Sequence, residues 1–167
     1  MPKVITAVKK AEALACLINK AVASDECKDL TWLREKPFAE VVFAPHVSRI
    51  KARKLRCFVE PFAKSVNSGE TQDACSGEWL STIGIVFAQK IDDEGNDENQ
   101  PGDVCEVKHL VEFVEYIGEK LLEDWNRIET DCGPARIQKE DTDHELINRE
   151  WLRDHQVFYS QINVTYG

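Results

Sequence analysis

The sequence predicts an α+β fold: a mixed or antiparallel sheet of about four to five strands with two long helices packed on one face. Three observations carry that expectation. Two stretches, 4–24 and 104–125, repeat apolar residues at steps of three and four, the period of an amphipathic helix. Four shorter runs, 38–44, 55–60, 81–90 and 157–166, are rich in β-branched and aromatic residues, and the last two alternate in character. Three of these runs follow one another in the middle of the chain with the helices flanking them, unlike the strand–helix alternation of a parallel α/β sheet.

The first helix is set by Val4, Val8, Ala11, Ala15, Ile18 and Val22, widened by Leu14, Leu17 and Ala21. Lys9, Lys10, Glu12 and Lys20 are left for solvent, and Ser24-Asp25-Glu26 ends the helix. Residues 29–33 start a short turn before Pro37. The run 38–44 stops or bends at Pro45, and the run 55–60 closes at Pro61, because proline brings no N–H to a ladder. The run 81–90 sets Ile83, Ile85 and Phe87 against small residues, as a strand with one packed face does. Between these runs, 65–77 is a polar connector with Gly69 and Gly77 as turn formers.

Residues 92–103 hold six carboxylates and nothing to bury, so they read as an exposed, self-repelling loop. The second helix presents Val107, Leu110, Val111, Val114, Ile117, Leu121, Leu122 and Trp125 inward, with Glu112, Glu115, Glu119 and Lys120 outward. Gly118 within it costs about 1 kcal/mol relative to Ala, which predicts a close neighbour that needs the room. Residues 135–143 are mostly polar and a candidate strand, and 145–153 read as a short helix with Leu146, Ile147, Trp151 and Leu152. In the final run Phe158, Ile162, Val164 and Tyr166 share one parity, and Tyr159, Gln161, Asn163 and Thr165 the other: a half-buried strand. With no repeat and no linker, residues 1–167 read as one domain.

Lys and Arg number 21 against 30 Asp and Glu, a net charge of −9. So acidic a chain is a poor general nucleic-acid binder, since phosphate neutralisation supplies most of that affinity. No run approaches the roughly 18 apolar residues of a membrane span, and the first residues carry no secretory pattern, which points to a cytoplasmic origin without a membrane partner. The six cysteines, at 16, 27, 57, 75, 105 and 132, never fall as Cys-x-x-Cys and read as reduced thiols.

The search for chemistry returns little. His46, His109, His144 and His155 form no His-x-x-x-His or His-Glu-x-x-His pair, and they read as surface histidines. There is no Gly-x-Ser-x-Gly elbow, Walker loop or Gly-x-Gly-x-x-Gly. A calcium loop starting at Asp92 needs Gly sixth and Glu twelfth, but those places hold Asp97 and Asp103. Asn163-Val164-Thr165 fits the glycosylation pattern, which has no meaning without a secretory signal. The expectation is a protein that is not an enzyme and has no catalytic residue, cofactor or metal.

Opposite charges are segregated instead. Arg49, Lys51, Arg53, Lys54 and Arg56 form a basic run with no acid among them, while Asp92, Asp93, Glu94, Asp97 and Glu98 lead the acidic loop. The plain reading is a solvated bend and a solvated loop. The functional reading is that the basic run meets something negative, free nucleic acid or the acidic loop of a neighbouring copy; the latter makes these ten residues a subunit interface, since one positive and one negative patch per molecule allow head-to-tail association and ring closure.

The strand through Phe43-Ala44-Pro45, the strand Arg56-Cys57-Phe58-Val59-Glu60-Pro61 and the run from Ile83 to Gln89-Lys90 come first in a longer pattern. The helix at 107–122 and the ending from Trp151-Leu152 through Phe158-Tyr159-Ser160 to Tyr166 complete it. Over about 38–167 this order resembles the tail terminator (tail completion, or neck) proteins of long-tailed bacteriophages. The resemblance implies a structural virion protein, assembled in the host cytoplasm and located in the tail or neck. It implies a homo-oligomer, a hexameric ring that caps the tail tube protein, ends its polymerisation and meets a head-side connector or stopper protein. DNA passes through such a ring without specific binding, which a net charge of −9 favours. The alternatives are another head–tail connector or adaptor of the neck, and a small cytoplasmic enzyme with a dispersed site.

Overall fold

The computed structural model describes residues 5–27, 30, 38–44, 50, 54–67, 78–91, 103–137 and 142–167. The first helix, α1, is Ala7–Val22, and its Thr6 cap accepts a hydrogen bond from the Lys9 N–H at 3.2 Å. Its inner face is Ala11, Leu14, Ala15 and Ile18, but the stripe is turned from the expected one: Val8 is 36% exposed and Lys10 only 2%. Lys10, expected in solvent, runs inward and its Nζ donates to Ser81 Oγ and to the Tyr166 carbonyl, each at 3.1 Å.

Five strands form one mixed sheet in the order β1-β2-β3-β7-β6, with β1 Ala39–Val41, β2 Arg56–Asn67, β3 Glu78–Lys90, β6 Asp143–Glu145 and β7 Val157–Tyr166. β1 pairs parallel with β2, and the other neighbours are antiparallel. The α+β class and the mixed sheet hold. The run 38–44 is shorter than expected, because only three of its residues pair.

Pro61 does not end β2. It sits opposite Ile83, and the register shifts between Pro61 and Ala63. β1 pairs only as far as Val59, so beyond that residue β2 is an edge among the described strands, where a missing N–H and a bulge are tolerated. The expected connector 65–77 therefore begins later, since Ser65 to Asn67 continue the strand.

The second helix, α2, is Asp103–Glu123, so Trp125 lies just beyond it. Gly118 is not wedged against a neighbour: an added Cβ would lie 3.7 Å from His144 Nδ1 and 3.9 Å from Ile162, ordinary contacts that correct the sequence expectation.

A hairpin follows, β4 Arg127–Thr130 and β5 Gly133–Arg136, turning at Asp131-Cys132 into Gly133 with φ +127°. Lys9 Nζ holds it to α1, 2.9 Å from Cys132 Sγ and 3.6 Å from Asp131. The candidate strand at 135–143 thus divides between the end of β5 and the start of β6, with 138–141 outside the described residues.

The short helix α3, Arg149–His155, begins four residues later than its pattern suggested, capped by Asn148 Oδ1 accepting from the Trp151 N–H at 3.0 Å. Gln156 closes it in the left-handed region at φ 53°.

One buried cluster joins Leu14 and Ile18 of α1, Val114 and Ile117 of α2, and Val59, Ile85 and Ile162 of the central strands. Phe38, Phe87 and Phe113 meet inside it with ring centroids 5.9 to 6.4 Å apart, two of the three pairs edge to face. The other parity of the central strands buries a smaller cluster, Phe58, Val86 and Ala88, under Val42, Ile50 and Tyr159.

Candidate interaction surfaces

The sheet face that carries the smaller cluster turns polar away from it. Glu60 pairs with Gly84, and Gly84 with Asn163, so these three positions line up across β2, β3 and β7. Gly84 has no side chain to lift its neighbours: an added Cβ would lie 3.3 Å from the Phe62 ring and 3.4 Å from the Asn163 and Gln161 side-chain amides. Phe62, pushed out at the bulge, is 53% exposed. Beside it a cavity of about 470 Å³ is lined by Thr82, Asn163, Thr165 and Asp143.

Burial pushes the Glu60 carboxyl above its ordinary value, and its Oε1 is buried without a hydrogen-bond partner. Burial also raises Tyr159, helped by the charges of Glu60 and Glu145. For Glu60 the folded pKa exceeds the unfolded one, so folding loses stability as pH rises from 4.5 through the folded value. Glu60→Gln is therefore expected to stabilise the protein at pH 7 by about 1 kcal/mol, lessened by the water that still reaches part of the side chain. Thermal melts should show the gain at pH 7 and lose it below 4.5; an equal gain at both pH values would contradict the assignment.

A second groove, also about 470 Å³, lies between α2 and the outermost strand β6. Gly118 and Ile162 form its floor, Leu122 and Leu146 its apolar rim, and Glu115, Glu119 and Asp143 its charge. Leu122, expected in the core stripe, is 58% exposed because α2 ends beside it and Leu121 takes the inward place. Another exposed apolar feature stands at the end of the β2–β3 ladder where Val66 pairs with Trp79. There Trp79 is 52% exposed, and Lys64 Nζ lies 4.8 Å from the centre of its ring.

Of the ten residues expected at a subunit interface, Lys54 and Arg56 are described. Lys54 is exposed just before β2, and Arg56 opens that strand with its Nη2 3.4 Å from Glu40 Oε1 on β1. Part of the basic run is thus engaged within its own chain, by an acid 16 residues earlier that the run itself does not contain. Arg49, Lys51, Arg53, Asp92, Asp93, Glu94, Asp97 and Glu98 lie outside the described residues.

His144 corrects the reading of all four histidines as surface groups. It points into the α2 side of the sheet, half-buried, with Nε2 3.0 Å from Ser160 Oγ, and burial lowers its pKa against the pull of Glu115 and Asp143. His109 and His155 are exposed, and His46 is outside the described residues.

Cys16, Cys27, Cys57 and Cys132 are free thiols, and burial raises the pKa of Cys57 and Cys27. Among the described residues no three His, Cys, Asp or Glu side chains converge on a metal position, and no helix is long and apolar enough to cross a membrane. Comparison with family models, with curated proteins and with solved structures finds no match.

Proposed function

We propose that this chain is a structural virion protein of a long-tailed bacteriophage, a subunit of the ring that caps the tail tube, ends its polymerisation and joins tail to head-side connector. The observation that carries the reading is the separation of exposed apolar groups among the described residues: Phe43 just past β1, Phe62 on a sheet face, Trp79 at one end of the β2–β3 ladder and Leu122 at the end of α2. A ring subunit needs two unlike surfaces for its lateral neighbours and further ones for axial partners, whereas an enzyme concentrates its apolar and polar groups in one cleft. The order of elements described above and the net charge of −9, suited to a lumen that DNA crosses without sticking, support the same reading.

The fold serves this use in one further respect. We infer that α1 and α2 cover the same face of the sheet, because Ile18 and Ile117 enter one cluster with the inward residues of β2, β3 and β7. The face bearing Glu60, Phe62 and Asn163 is then left for partners rather than for the chain's own long helices.

Negative-stain microscopy of the protein mixed with purified tail tubes, together with light scattering, tests the proposal. Rings of about six copies at tube ends are expected; a twelve-fold ring that ignores tubes would point to a connector component instead. The enzyme alternative has one observation on its side, the half-buried Glu60 with its raised pKa beside Tyr159. A stable monomer that leaves tube ends bare would select it and overturn the ring.

A further inference from the structure

Resting on the ring reading, we propose that neighbouring copies join head to tail by seating the Trp79 ring of one copy in the groove between α2 and β6 of the next. The two surfaces are complementary in chemistry. The groove is lined by the apolar or small residues Gly118, Leu122, Leu146 and Ile162, with the Thr142 hydroxyl and the His144 ring among them, and its described carboxylates, Glu115, Glu119 and Asp143, make it acidic. The knob is an indole with an ammonium over its ring, Lys64 above Trp79. An indole body matches the apolar lining, and the ammonium it carries meets the acidic rim. At about 470 Å³ the space accommodates one large aromatic side chain.

The placement also fits. Trp79 is the second residue of β3, the middle strand of the sheet, whereas the groove flanks β6, the outermost strand on one side. Knob and groove are therefore different patches, so the contact is heterologous and propagates from copy to copy until it closes. Strand addition along the open stretch of β2 is a poorer way to join copies. Pro61, the bulge and Lys64 interrupt that edge in the manner that blocks edge pairing. Side-chain docking needs no ladder, and the central position of an aromatic anchor in a pocket is where interfaces concentrate their energy.

The test uses the full chain and four variants, with copy number read by light scattering at tube ends and in free solution. Trp79→Ala is expected to weaken the copy-to-copy contact about thirtyfold or more. Lys64→Glu and Glu119→Lys should each weaken it about tenfold at low salt, and the double variant carrying both should recover most of the loss. That recovery also shows that the single variants are folded. Rings that persist unchanged in Trp79→Ala, or a double variant weaker than either single one, would overturn the knob-and-groove contact while leaving the ring itself standing. Failure of the unaltered protein to form rings or to bind tubes would remove the ring reading and this contact together.

Discussion

Phe87→Ala is expected to cost about 3–5 kcal/mol of folding stability, the largest single loss available on the central strand. Phe87 has no exposed surface, and it lies in the main buried cluster with Phe38 and Phe113. On its own sheet it faces Cys57 on β2 and Ser160 on β7. Above the sheet its ring centroid is 6.4 Å from that of Phe38 and 6.1 Å from that of Phe113 on α2. Truncation removes the ring's transfer free energy and leaves a cavity that the neighbouring strands cannot close, because their positions are held by ladders on both sides. A domain of this kind has only about 5–15 kcal/mol in hand, so the variant should be populated in unfolded form under mild denaturant. Urea titration should show a lower midpoint with an unchanged slope. Phe87→Leu, which keeps most of the volume, should lose less than half as much. A loss under about 1 kcal/mol for the alanine variant would mean that the ring is not where the core is packed.

The position of Phe87 was legible from the sequence, and so was most of the frame around it. Ile83, Ile85 and Phe87 alternate with small residues, and Phe158, Ile162, Val164 and Tyr166 keep one parity to the end of the chain. Burial on a sheet follows that parity, so the antiparallel partners β3 and β7 could be read directly. The misreadings have a common cause, which is that they depend on what lies across from a residue rather than along the chain. Pro61 looks like a stop until β1 is seen to end at Val59 and leave that stretch of β2 on an edge. The β4–β5 hairpin buries only Ile128 and Ala135, too few apolar residues for a period to emerge.

The surfaces proposed for partners were the least legible part. The charged runs stand out in a sequence, but Arg56 turns toward Glu40 within its own chain. Leu122 reads as an ordinary helix-stripe residue and Trp79 falls outside the run 81–90 read as a strand; each is exposed near one end of its element. Helical periodicity assigns a face but not its limits, because the limits come from whatever packs against it.

Lys10 is the sharpest case of that rule, and it leads to the second large effect: Lys10→Ala is expected to destabilise the fold by about 3 kcal/mol. At 2% exposure its stem fills space that a core residue would fill, while its Nζ donates to Ser81 Oγ on β3 and to the carbonyl of Tyr166 at the end of β7. Tyr166 is held a second time by its own hydroxyl, which donates to the Trp125 carbonyl at 2.9 Å. The lysine therefore ties α1 to two adjacent strands at the end of the sheet where Ser81 pairs with Tyr166. Alanine removes the packing of the stem and the hydrogen bonds together, leaving a buried hydroxyl and a buried carbonyl with one partner fewer. Methionine keeps the stem and removes only the donor, so Lys10→Met should lose about half as much. Chemical denaturation of both variants separates the two contributions, and Ser81→Ala combined with Lys10→Met measures their coupling. If alanine and methionine cost the same, the stem contributes nothing and the ammonium alone matters; if both are neutral, the lysine does not bridge the helix and the sheet. Because Trp79 begins two residues before Ser81, loss of this bridge should also loosen the base of the proposed knob and weaken ring contacts beyond what the stability loss alone predicts.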